Sequence, residues 1–136
     1  MPVTEYTYNS PDWTHRVRLI FAGDVRFGPP CFRVALDGRV LRTWWLKPRL
    51  FGECCVWSPE SRYLALQEWR QMAESPEIEV KVIDLASRRE VSVVRHLGKW
   101  VEPVRFDGEA LVCTVISTDK EGKRVQDEER LQFNVI

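Results

Sequence analysis

Two histidines, four cysteines and a scatter of carboxylates are the residues of this 136-residue chain that could carry chemistry. His15 and His96 are its side chains that titrate near neutrality, and His15 stands in the polar stretch DWTHRVR. A Cys113 nucleophile served by His96 would need a thiolate. The run ALVCTVIS places Cys113 in an apolar strand, where the charged form is disfavoured. Cys31, Cys54, Cys55 and Cys113 show no CxxC spacing, and neighbours such as Cys54 and Cys55 pair only through a strained ring. They are expected to be free, buried thiols that behave as small hydrophobes. Glu53 with Glu60, or Glu74, Glu77 and Glu79, could be imagined as the paired acids of a glycoside hydrolase, but acidic clusters in polar loops are ordinarily solvated faces. There is no GxSxG elbow, GxGxxG loop, Walker loop, HExxH pair or EF-hand loop. The residues therefore predict no catalytic site, no metal site and no bound cofactor.

Tryptophan is the more informative residue type. In RTWWLK the side chains of Trp44 and Trp45 must point to opposite faces of any strand, so one indole is exposed unless both faces are covered. Trp69 and Trp100 fall at strand or loop ends, with Arg42, Arg70 and Lys99 close by in sequence. Tryptophan and arginine are enriched among the residues that dominate protein interfaces. Arg42, Trp44, Trp45, Trp69, Arg70 and Trp100 are thus the candidate partner-binding residues. The competing expectation is that all six indoles fill a two-layer core, where large rings occupy the space between sheets.

The elements that must position these residues are strands. RVRLIFAG sets Val17, Leu19 and Phe21 on one face, and IEVKVIDL sets Ile78, Val80 and Val82 opposite Glu79 and Lys81. ALVCTVIS and RLQFNVI alternate in the same way, and the whole chain reads as about ten strands. Pro29-Pro30, Asp37-Gly38, Ser58-Pro59, Asp107-Gly108 and Glu121-Gly122 punctuate them. Asp37-Gly38, between CFRVAL and RVLRTWWLK, is the strongest hairpin signal. The single helical candidate, residues 67–74, is short and is read as a strand end running into a long loop. Residues 118–129 mix both charges with almost no apolar anchor and are read as a second, mobile loop.

The stretch VWSPESRYLALQEW at 56–69 matches VRFDGEALVCTVIS at 104–117: an aromatic, a turn, a strand, and a further strand after a loop. The offset of about 48 residues lies in the range of propeller-blade repeats. Trp57, Ser58, Pro59, Tyr63, Leu64, Ala65 and Leu66, followed by Val82-Ile83-Asp84-Leu85, resemble WD40-like and TolB-like β-propeller blades with a W-S-P-D-G-x-x-L-A-F turn. Glu60 and Ser61 replace the Asp and Gly of that turn. The resemblance covers one blade, from Glu53 to Val94, and parts of two more, and it implies a structural role for these residues. A propeller closes with roughly four to eight blades, and this chain has material for about two and a half. The expected fold is therefore all-β: an antiparallel meander of incomplete propeller-like blades packed as an open sandwich, forming one domain over 1–136.

Composition narrows the function. Twenty basic residues balance twenty acidic ones, so no global field favours nucleic acid or an anionic membrane. Residues 1–50 carry eight basic and four acidic side chains, however, which leaves twelve and sixteen for the rest. No stretch approaches the ~18 apolar residues of a membrane span, and no basic-then-apolar leader opens the chain, so a cytoplasmic protein is expected. Small, leaderless, tryptophan-rich all-β proteins without catalytic motifs look like immunity proteins that neutralise a bacterial toxin by covering its active site. The first expectation is accordingly a protein that binds another protein, with self-association through the uncovered edge of RLQFNVI as a further route. The alternative is a small-ligand or single-stranded nucleic-acid module, with Arg16, Arg18, Arg33, Arg39 and Arg42 around stacking aromatics.

Overall fold

A computed structural model describes residues 5–24, 30–43, 47–71, 77–97 and 99–134. Eleven strands and no helix occur among them: β1 (Glu5–Asn9), β2 (Arg16–Asp24), β3 (Pro30–Leu36), β4 (Arg39–Val40), β5 (Leu50–Trp57), β6 (Tyr63–Gln71), β7 (Glu77–Asp84), β8 (Arg89–Leu97), β9 (Trp100–Asp107), β10 (Ala110–Thr118) and β11 (Arg124–Gln132). No helix among these residues is long and apolar enough to cross a membrane. Every strand pairing is antiparallel, so the chain is a continuous all-β meander. β1 to β8 form one sheet and β9 to β11 a second, β11-β10-β9. Neither sheet closes into a barrel.

The larger sheet is two meanders joined at a seam. β3 and β5 meet through one registered pair, Phe32 with Phe51, and the pairing of β5 with β6 slips between Phe51 and Cys55. Side-chain alternation then gives β6 and β7 two buried faces. Leu64, Leu66 and Ile83 pack with Val17, Leu19, Phe32, Val34 and Phe51 on one face. Ala65, Trp69, Ile78, Val80 and Val82 pack on the other with Val101, Phe106, Leu111, Cys113 and Val115 of the smaller sheet. The result is an open sandwich with β5–β8 as its middle layer. That explains why β6 and β7 bury polar side chains, Gln67, Glu68, Glu79 and Asp84, along with their apolar ones, whereas β2 keeps its arginines on an outer face.

One polar side chain ties the middle layer to the smaller sheet. Gln67 is fully buried and donates from Nε2 to the Val101 carbonyl at 2.5 Å. Its amide lies against Gly52, where an added Cβ would come within 1.9 Å of Gln67 Oε1. Glycine is required in β5 at this point because the neighbouring strand's side chain occupies the space a methyl would need.

One expectation is corrected, and another is met over the residues described. Residues 124–129 are not a mobile loop: they form most of β11, registered along its length against β10, and the turn itself is confined to 119–123, where Asp119 Oδ1 accepts from the Glu121 and Lys123 amides. Residues 67–71 continue β6, and the rest of the expected loop, 72–76, lies outside the described residues.

Candidate functional site

The β1–β2, β3–β4, β5–β6 and β7–β8 turns are brought together at one end by hydrogen bonds between them and by a shared recess. Here those turns are short and cross-linked. Ser10 and Ser58 open two turns of the same construction. In each, the serine amide donates to the carbonyl five residues on, that residue's amide donates back to the serine Oγ, and the fourth residue's amide donates to the serine carbonyl. The fourth position is left-handed in both, Trp13 at φ 64° and Ser61 at φ 63°. The turns also touch, because the Asp12 amide donates to Ser61 Oγ at 3.0 Å. The β3–β4 turn, Asp37-Gly38, has both central residues at positive φ, the mirror-type turn that matches strand twist and that Gly38 adopts without steric cost. The β7–β8 turn carries Arg88 at φ 60°. All four left-handed non-glycine residues found among the described residues therefore sit at this end. Such conformations cost of order 1–3 kcal/mol each and cluster at functional sites.

Trp13 is the most exposed large hydrophobic side chain described, at 78%. Its turn is rigid. Asp12 Oδ1 accepts from the Ser10 hydroxyl, the Thr14 amide and the Thr14 hydroxyl, and those Thr14 contacts hold the Asp12 carboxyl far below the usual range. Behind the ring lies a recess of ≈ 490 Å³ whose lining includes Thr7, Asn9, Trp13, Arg16 and Arg18.

His15 and Asp37 form the wall between this recess and a second one. His15 Nδ1 is 2.7 Å from Asp37 Oδ2, and the Arg16 amide donates to Asp37 Oδ1 at 2.9 Å. Partial burial raises the Asp37 carboxyl, but the Arg16 amide and His15 more than offset it, so the net shift is downward. An ionised carboxylate only accepts, which places the hydrogen on His15 Nδ1. The imidazole stacks on Trp57, ring centroids 6.2 Å apart. This resembles the orienting half of a catalytic triad, yet no described hydroxyl or thiol is hydrogen-bonded to the other ring nitrogen. The second recess, ≈ 410 Å³, has Leu36, Leu41, Ile83 and Leu85 in its lining, with Arg39, Arg88 and Glu90 at its margin. A third recess, ≈ 540 Å³, lies beside Tyr63 and Phe133. Its single guanidinium, Arg62, is already committed to Asp84.

Glu90 belongs to a charged cluster laid across β5 to β8. Glu68 and Glu79 are direct cross-strand neighbours, a like-charge pairing that would be destabilising alone. Arg49 grips Glu68 with two bonds of 2.9 and 2.8 Å and also reaches Glu90, while Lys81 lies 2.8 Å from Glu79. With Arg70 3.9 Å from Glu79, three cations face three acids, so the cluster is a structural tie.

The expected site residues are not gathered into one surface. Trp44 and Trp45 lie outside the described residues. Arg42 is exposed next to the Arg42–Pro48 bridge. Trp69 is corrected: at 6% exposure it is a core residue, because odd-numbered positions of β6 face the smaller sheet, and it stacks edge-on with Trp100 at 5.8 Å. Trp100 is half-buried and donates from Nε1 to Glu102 at 2.9 Å. Arg70 is partly exposed, 3.9 Å from Glu79. The cysteines are free. Burial raises the Cys54 thiol, helped by the Glu102 carboxylate, and pushes Cys55 and Cys113 up to about 12. No cluster of three or more metal-ligating side chains occurs among the described residues.

Trp13, His15 with Asp37, and Arg88 escaped the sequence reading. One signal for Trp13 was present: in SPDWT a tryptophan stands where the related turn pattern has glycine, at a left-handed tip where its ring has no core to join. Arg88 and Asp37 carried no such mark. No family model matches this chain, and neither the curated proteins nor the solved structures contain a match to it.

Proposed function

We propose that this chain is a protein-binding protein that docks its partner at the end carrying the odd-to-even turns, with Trp13 as the anchor. The observation that carries the reading is an indole 78% exposed on a turn fixed by seven hydrogen bonds. A large ring held rigidly outward loses little entropy on binding and buries much apolar area, the combination found in interface hot spots. Arg16 and Arg18 flank it on the outer face of β2, and Arg33 of β3 shares that face through its pairing with Ile20. An acidic rim on the partner suits this surface. The specific form we favour is an immunity protein that acts in the cytoplasm and covers the active site of a toxin enzyme.

A single-stranded nucleic-acid module is the second reading. Arg39 is registered with Leu36, on the opposite face of the meander from Arg33, and Tyr6 packs into the core between the layers. Tyr8 and Phe21 are exposed too, but their registers with Val17 and Phe32 put them on the face opposite Arg16, Arg18 and Arg33, so among the described rings Trp13 alone stands beside these arginines, whereas strand binding uses several rings in succession.

The test is capture of partners from native lysate by the wild type and by Trp13→Gly. Glycine relieves the left-handed strain, so the variant should melt higher, by about 1 kcal/mol of stability, while losing the captured protein. Capture equal to wild type by the more stable variant would falsify the anchor role.

A further inference from the structure

The second recess has a chemistry that the Trp13 anchor does not use. Its floor is aliphatic: Ile83 is buried, and Leu36, Leu41 and Leu85 are half-buried members of the core cluster that leave one side open. Both carboxylates at its margin are already satisfied, Asp37 by His15 and the Arg16 amide, Glu90 by Arg49 and Lys81. Its two arginines are less committed. Arg39 and Arg88 are exposed; Arg88 is near enough to Asp37 to help lower that carboxyl, but neither guanidinium is within ion-pair or hydrogen-bond distance of a described carboxylate. Arg88 reaches this position only by adopting φ 60°.

We infer that this groove, between the Asp37-Gly38 and Leu85–Arg88 turns, binds an extended segment of the partner in which an aliphatic side chain precedes a carboxylate. The aliphatic chain lies on Leu36, Leu41, Ile83 and Leu85, and the carboxylate is received by Arg39 and Arg88. A volume of ≈ 410 Å³ falls in the range of about 300–1,000 Å³ usual for small-ligand sites. A peptide rather than a free acid is favoured by proximity, since His15 and Asp37 line both recesses and an extended chain seated beside Trp13 need only cross that shared wall to reach the groove. The inference rests on the partner-docking reading and specifies what the partner must offer.

Titration calorimetry tests it with a blocked pentapeptide containing two leucines followed by glutamate, its glutamine counterpart, and hexanoate. The glutamate peptide should bind roughly tenfold more tightly than the glutamine peptide, the effect of one charge-assisted contact. Arg39→Gln and Arg88→Gly should each remove that preference, and Arg88→Gly also relieves strain, so loss of fold does not confuse the result. Equal binding of the two peptides, or a preference that survives both substitutions, overturns the inference. Hexanoate binding in place of the peptide overturns the peptide occupant. Lysate capture by Trp13→Gly separates the two ideas: capture lost by that variant with no peptide bound sinks the groove alone, while peptide bound and capture retained sinks the anchor alone.

Discussion

At the scale of single residues, most strain and most satisfied polarity in this protein are spent on turn tips, and one contact lies deep inside. Gly52 and Gln67 are a matched pair. A methyl at 52 would meet Gln67 Oε1 at 1.9 Å and its amide carbon at 2.9 Å, so Gly52→Ala should destabilise by about 1–3 kcal/mol through overpacking. Gln67→Ala alone loses the bond to Val101 and leaves a cavity. In the double variant the clash is gone, and the two costs should sum to less than their separate values. A double-mutant cycle in urea measures this coupling, and strict additivity would show that the close approach is relaxed in solution. Nothing in the sequence marked this pair, because a glycine in a strand is equally compatible with a bulge or with close approach of a neighbour. Trp13 was more legible, through the turn it interrupts.

At the scale of elements, period-two alternation located β2, β3, β7 and β10 almost to the residue, since each buries one clear face or both. It misjudged β11. RVQDEERLQ is strongly charged because β11 is an edge strand with mostly exposed residues, and charge at an edge guards against unwanted pairing. The pattern of a protected edge is easily mistaken for that of a loop. The same protection argues that partner recognition uses the turn end rather than this edge. The charged tie across β5 to β8 has its own consequence. Arg49, only 12% exposed, serves both Glu68 and Glu90, so Arg49→Ala should cost about 3 kcal/mol by leaving buried Glu68 beside Glu79. Exposed pairs such as Arg105 with Glu128 should cost under about 1 kcal/mol when broken. Denaturant midpoints of the two variants check the contrast, and equal losses would mean that water reaches the buried cluster.

At the scale of the whole molecule, stability should depend on acid in a predictable sense. Arg62 lowers the Asp84 carboxyl, outweighing its burial, and Glu90, raised by burial, is lowered further by Arg49 and Lys81. Asp37 is also depressed. For each group the unfolded chain binds protons more readily than the native state, so stability rises with pH through the titration. It is complete above the unfolded carboxyl values, near pH 4, and is lost as pH falls through the lower native ones. Urea midpoints should be flat from pH 7 to about 5 and fall below about 4, with a shallower fall in Asp84→Asn. A decline beginning at pH 6 would show that these carboxylates do not set the acid limit. The three-layer arrangement was only partly visible in the chain: alternation showed one apolar face for each strand, but not that β6 and β7 are covered on both, and the seam at Phe32 and Phe51 is one pair long and has no sequence signature.

Within β9 to β11 the two turns lie at opposite ends, and the contact of Tyr63 with Phe106 and Phe133 at one end and of Trp69 with Trp100 at the other places the Asp119–Lys123 turn at the end opposite Trp13. That hairpin is a natural handle: a dye, a biotin or a whole fused domain grafted there would leave the recognition end facing solution, and would orient every molecule on a sensor chip the same way.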